Sequence, residues 1–117
     1  MEVKRQATRV SLEGPIDQLT KVGSDYPRFG SDDEFIAASA IDISSGGMAC
    51  ESQTPIEPLA RVNLIFTLPF AGEKRRVNCE GFVAHSVFLE GHCLFGIRFE
   101  NLSPEATAAI DAYIGSD

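Results

Sequence analysis

The sequence has 117 residues, 44% of them hydrophobic and 23% charged, which suits one domain with a single core and is too apolar for a disordered chain. A formal net charge of −7 argues against a nucleic-acid polymer or an anionic membrane as partner, because both call for a broad positive field. The longest apolar run, residues 62–66, is far short of the roughly 20 residues that cross a bilayer, so no membrane insertion is expected.

Positive charge is concentrated at the front of the chain. Lys4, Arg5 and Arg9 in "KRQATRV" face only Glu2 within residues 1–10, whereas acidic residues outnumber basic ones in the remainder. This segment lacks the apolar core of a secretory signal, and the protein is expected to be cytoplasmic. In an extended segment Arg5 and Arg9 leave on the same side, about 13 Å apart at Cα. A guanidinium can hold a phosphate through two bonds, pair with O6 and N7 of a guanine, or lie flat on a base. Taken alone, such a pair also describes a solvated tail.

Val10, Leu12 and Ile16 suggest a first, weak strand. Residues 22–34, "VGSDYPRFGSDDE", hold the only Pro-, Gly-, Ser- and Asp-rich interruption of the strand region and predict a long exposed loop. The segments "FIAASAIDIS" and "GMACES" then flank a Gly-Gly turn. In "DISSGG", Asp42 and Ser44 are two apart, so strand geometry predicts a carboxylate and a hydroxyl on one outer face, with Ile41 and Ile43 turned to the core. Gly46 and Gly47 allow φ > 0 and leave backbone amides open to a close ligand. A strand end whose Asp42 merely stabilises the turn fits the same letters.

The clearest alternation follows. Val62, Leu64, Phe66, Leu68 and Phe70 share one face, as do Cys93, Phe95, Ile97 and Phe99, while Val77, Cys79, Gly81, Val83 and His85 repeat the pattern less cleanly. "AGEK" between the first and third of these sets predicts a hairpin turn. The count is about six short strands, which favours an antiparallel barrel or sandwich. A single helix closes the chain: Ser103 is its N-cap, Pro104 its first position, and Glu105 complements the dipole. Ala106, Ala109, Ile110, Tyr113 and Ile114 give it one apolar face, and Gly115 is placed to end it.

Cys50, Cys79 and Cys93 are odd in number, widely spaced and without a CxxC pair, so they read as three reduced thiols in or near the core, with no metal site. His85 on a strand face and His92 beside the "EG" turn form no constellation with a nucleophile, and the chain is expected not to be an enzyme. Lys74, Arg75 and Arg76 would keep a sheet edge soluble.

RxxxR at residues 5–9 and DxSxxG at residues 42–47, each beside a predicted strand, together resemble the PilZ domain family, bacterial receptors for cyclic di-GMP. A basic residue ahead of RxxxR, and "FGIRFENLSPEA" leading into a short helix, extend the likeness over nearly the whole chain. The resemblance implies an all-β fold with one C-terminal helix: a six-stranded antiparallel barrel over residues 10–117, preceded by a basic arm at residues 1–9. It implies that Arg5 and Arg9, with Lys4 in a lesser part, bind guanine and phosphate, that Asp42 and Ser44 hydrogen-bond a guanine, and that Gly46 and Gly47 supply the close backbone. The implied function is a regulatory module that orders its arm on binding cyclic di-GMP and presents a new surface to a downstream effector protein. The alternative is a member of the same fold that acts through protein contacts without binding nucleotide. The longer loop at residues 22–34 departs from the family pattern.

Overall fold

The period-two runs form the centre of one antiparallel sheet. The computed structural model describes residues 8–23, 33–70 and 72–115. Its elements are β1 (Val10–Pro15), β2 (Gln18–Lys21), β3 (Glu34–Phe35), β4 (Ala38–Ile43), β5 (Gly47–Ser52), β6 (Arg61–Phe70), β7 (Glu73–Leu89), β8 (His92–Glu100) and α1 (Pro104–Gly115). The strand order is β1-β4-β5-β8-β7-β6-β2-β3, with every neighbouring pair antiparallel.

This is an eight-stranded, curled half-barrel rather than the six-stranded barrel expected. The difference arises where the chain crosses between the two ends of the sheet. β1 stands at one end and β2 next to last at the other, yet only Ile16 and Asp17 separate them. So short a crossing forces the sheet to curl until its ends lie side by side. Gly14, at φ 145°, accompanies a bulge in β1, and the run read as one strand from Val10 to Ile16 breaks after Pro15. Likewise "FIAASAIDIS" splits at Ile36 and Ala37 into β3 and β4. The N–H of Ile16 donates to the carbonyl of Ala38 (3.0 Å) and that of Ile36 to Leu19 (2.9 Å), so backbone bonds bridge the seam, and both isoleucines are buried in it.

β7 is long because its first half pairs with β6 and its second half with β8. Val62, Leu64, Phe66 and Leu68 point inward and are almost wholly buried, each contributing about 1.5–3 kcal/mol relative to exposure. Phe66 stacks on Phe99 with centroids 5.9 Å apart. The predicted "AGEK" turn is tighter than quoted: Phe70 pairs with Glu73, so Glu73 and Lys74 already belong to β7. Arg75 pairs with Glu73 (2.8 Å) and lies over the Phe70 ring, occupied at that hairpin.

Helix α1 begins as predicted. The Ser103 hydroxyl accepts the N–H of Ala106 (3.0 Å), satisfying one of the first-turn donors. Ala106, Ala109 and Ile110 are buried, while Tyr113 packs edge-on against Phe70 at 5.9 Å and donates from its hydroxyl to the carbonyl of Ser11 (2.9 Å). The helix is thereby tied both to β6 and to β1.

All three cysteines are free and buried. Burial, with a smaller contribution from Asp42, pushes the Cys50 thiol up to about 12, and burial together with Glu80 does the same for Cys79. Both are inert neutral thiols at physiological pH. Of the predicted loop, Gly23 and Asp33 bracket a closure in which the Gly23 N–H donates to Asp33 (2.8 Å); residues 24–32 lie outside the described residues. No helix among the described residues is long and apolar enough to cross a membrane.

Candidate ligand-binding site

The outward face of β4, β5, β8 and β7 carries a floor of residues with little or no side chain. Asp42 pairs with Ala49, Ala49 with Gly96, and Gly96 with His85, which sets one row across four strands. Gly47 pairs with Arg98, and Arg98 with Phe82, in the adjacent row. A cleft of about 330 Å³ lies over this floor, lined among others by Arg9, Ser44, Gly46, Gly47, His85 and Arg98. Cations rim a bare backbone bed, an arrangement suited to a flat, anionic ligand.

One residue from each sequence motif, Arg9 and Asp42, meets at its edge. Arg9 donates from Nε (2.9 Å) and Nη2 (2.8 Å), both to Oδ1 of Asp42. With the arginine side chain 48% and the carboxylate 30% exposed, this pair contributes only about 0–1 kcal/mol to stability. A ligand offering its own acceptors and donors can displace it at small cost. Lys4 and Arg5 lie outside the described residues.

Ser44 is not beside Asp42 on the open face. β4 ends at Ile43, so Ser44 already belongs to the turn and the strand alternation does not carry it to the face of Asp42; a separate bulge between Ala40 and Asp42 leaves Ile41 unpaired and partly exposed instead of in the core. Ser44 is 3% exposed. Its N–H donates to the Gly47 carbonyl (2.8 Å), and its hydroxyl accepts the Gly46 N–H (3.3 Å), so the hydroxyl braces the turn from beneath the cleft.

Nor do the two glycines serve as positive-φ residues, since neither is among those with φ > 0. Gly47 is needed for space: a Cβ there would collide with the Ile97 carbonyl oxygen on β8. The Gly46 carbonyl accepts the Phe99 N–H (2.9 Å), and a Cβ at Gly46 would meet open space on the cleft side.

Three residues of the cleft were not singled out from the sequence as site residues. Gly96 gives up its side-chain space to the His85 imidazole, whose Nε2 would lie 2.6 Å from a Cβ there. His85 faces outward because a bulge between Val83 and His85 resets the alternation that buries Val83. Arg98 stands exposed beside Gly47. The only signal for them was "FGIRFE", which carries both Gly96 and Arg98 but does not reveal which strand faces them. Among the described residues, no group of three or more His, Cys, Asp or Glu is placed to hold a metal ion.

The sequence matches the profile of the PilZ domain over residues 4–116. No curated protein shows significant sequence similarity to the chain. Among solved structures, the inhibitor of motility MotI of Bacillus subtilis superposes with a TM-score of 0.69 at 14% identity, over 98% of this chain and 51% of that one. The PilZ domain of YcgR from Escherichia coli, solved with c-di-GMP, gives a TM-score of 0.66 at 16% identity, over 97% and 91% respectively. YcgR in complex with c-di-GMP gives 0.61 at 17% identity, over 97% of this chain and 45% of that one. The chain thus spans about half the length of MotI and of the longer YcgR chain, and at these identities the likeness is one of fold. With a family match that runs over nearly its whole length, the chain belongs to the PilZ domain family.

Proposed function

We propose that the chain is a regulatory receptor for cyclic di-GMP, which it binds in the cleft over Gly47 and Gly96. The observation that supports this reading is the contact between Arg9, the second arginine of RxxxR, and Asp42, the first residue of DxSxxG, beside one cleft. Guanine presents N1–H and N2–H donors to a carboxylate and O6 and N7 acceptors to an arginine. Asp42 takes the donors, Arg9 and Arg5 take the acceptors and the phosphates, and Lys4 adds a point charge. Arg98 extends the cationic rim across the glycine floor, with the His85 imidazole beside Gly96. Ser44, Gly46 and Gly47 keep the turn low enough for the ligand to approach.

The basic arm, residues 1–9, closes over the ligand, and the covered cleft becomes the surface that an effector protein reads. Val87 and Leu94, 52% and 47% exposed, are paired one row beyond His85 and Gly96, so a protein seated on the filled cleft also covers them. In this reading the cleft holds its ligand without transforming it, and the Ser44 hydroxyl is engaged with the turn backbone. Calorimetric titration with cyclic di-GMP, with GMP as control, tests the reading. Saturable binding of the cyclic dinucleotide and much weaker binding of GMP are expected; no heat with either would leave the fold as a protein-contact module.

A further inference from the structure

A hollow of about 620 Å³ lies on the other half of the outward face, over β2, β6 and β7. Strand register fixes what points into it. Gln18 pairs with Ile65 and Ile65 with Asn78, while Thr20 pairs with Asn63 and Asn63 with Glu80. Phe35 stands beside Thr20 on β3, 75% exposed. The half-buried Ile65 is therefore an apolar floor ringed by the carboxamides of Gln18, Asn63 and Asn78, with an aromatic ring at the rim.

Asparagine is disfavoured in strands, yet Asn63 and Asn78 occupy mid-strand positions of β6 and β7. Several other polar groups on the outward surface are paired: Thr67 with Asp17 at 2.6 Å, Arg61 with Glu100 at 2.7 Å, and Arg9 with Asp42. Gln18, Asn63 and Asn78 make no side-chain hydrogen bond to any described residue. Residues that break a local preference with no compensating contact mark a demand other than folding.

The chemistry of the lining selects the ligand. Among the described residues no lysine or arginine lines the hollow, whereas Asp33 and Glu80 do, so the described lining offers an anion no cationic partner. Each carboxamide presents a donor and an acceptor side by side, which matches hydroxyl groups that both donate and accept. Phe35 and Ile65 supply apolar surface for the C–H face of a sugar ring. The volume lies within the roughly 300–1,000 Å³ of small-molecule sites.

We infer that the outward face of β2, β6 and β7 is a second binding site, separate from the nucleotide cleft, that takes a neutral saccharide on Gln18, Asn63 and Asn78 with Phe35 as its aromatic wall. The test is a nuclear magnetic resonance titration of the full nitrogen-labelled chain, reading the side-chain NH2 groups. The neutral probes are cellotetraose, mannotetraose and N-acetylated chitotetraose; tetragalacturonate is the anionic control and adenosine the nucleobase control. Saturable shifts at Asn63 and Asn78 with at least one neutral tetrasaccharide, and none with the anionic one, are expected. Asn63→Thr combined with Asn78→Thr should weaken that binding at least about tenfold while leaving the melting temperature unchanged or raised, because threonine suits a strand better. A lowered melting temperature with unchanged saccharide affinity would make the asparagines structural and overturn the proposal. So would the absence of shifts with every neutral probe, equal response to tetragalacturonate, or response to adenosine alone.

Discussion

The sheet turns at two glycine-bearing ends that answer different demands. Between β7 and β8, Glu90 and Gly91 adopt φ of 49° and 82°, the two-residue turn with both centres left-handed that matches the twist of a hairpin. A Cβ at Gly91 would meet nothing within 4 Å, so this glycine answers only to the backbone. Between β4 and β5 the situation is reversed. Gly47 needs no special φ but has no room for a side chain, and across the floor Gly96 yields its space to an imidazole. Glycines that a turn requires report on folding. Glycines that merely keep a surface bare report on what approaches it.

Substitutions at the two ends should therefore separate. Gly47→Ala is expected to have the largest effect, about 3 kcal/mol of destabilisation from a methyl forced against backbone, lowering the melting temperature by roughly 10 °C or more. A melting curve that does not move would refute the close approach of β5 and β8. Arg9→Ala should weaken cyclic di-GMP binding by about 1–3 kcal/mol, the range for a bidentate arginine–guanine pair. Its effect on unfolding should stay within the roughly 0–1 kcal/mol of an exposed ion pair. Arg5→Ala should match it in titration, and equal affinity of both variants to the native chain would remove the arginines from the site.

Gly91→Ala sharpens the contrast at the other end. Strain in the left-handed region should cost about 1 kcal/mol of stability with no change in ligand affinity. The smallest stability change is expected for Gly96→Ala, since its clash is with a movable side chain rather than backbone. There the displaced His85 ring should intrude on the cleft and weaken binding several-fold, and adding His85→Ala should recover much of the loss. If the single variant binds as the native chain does, the imidazole does not border the ligand.

How much of this was legible in the sequence depended on whether local period or cross-strand register carried the information. β6, β8 and α1 could be read because Val62 to Leu68, Cys93 to Phe99 and Ser103 to Ile114 keep an unbroken period. The bulges at Ile41 and Ala84 could not, because one inserted residue reverses every later face without altering composition. This is why Ile41 was expected inside and why His85 was grouped with the inward-facing Val83, whereas Ser44, expected outside, is not there because β4 already ends at Ile43 and Ser44 belongs to the turn. The splits at Ile16–Asp17 and Ile36–Ala37 were hidden for a different reason: buried seam residues look like strand residues. Arg9 and Asp42 were visible as motif letters. Gly96 and Arg98 join them only through the pairing of β5 with β8, which no spacing along the chain encodes.

The most direct test of the site is titration of cyclic di-GMP into Asp42→Asn, with thermal unfolding of the same variant. Asparagine keeps the shape of the side chain but replaces one acceptor oxygen with a donor, which would confront the N1–H or N2–H of guanine. The account predicts an affinity loss of about 1–3 kcal/mol, as large as that of Asp42→Ala, with the melting temperature close to that of the native chain. A variant that melts markedly lower yet binds cyclic di-GMP normally would contradict it, and would assign Asp42 to the turn instead of the ligand.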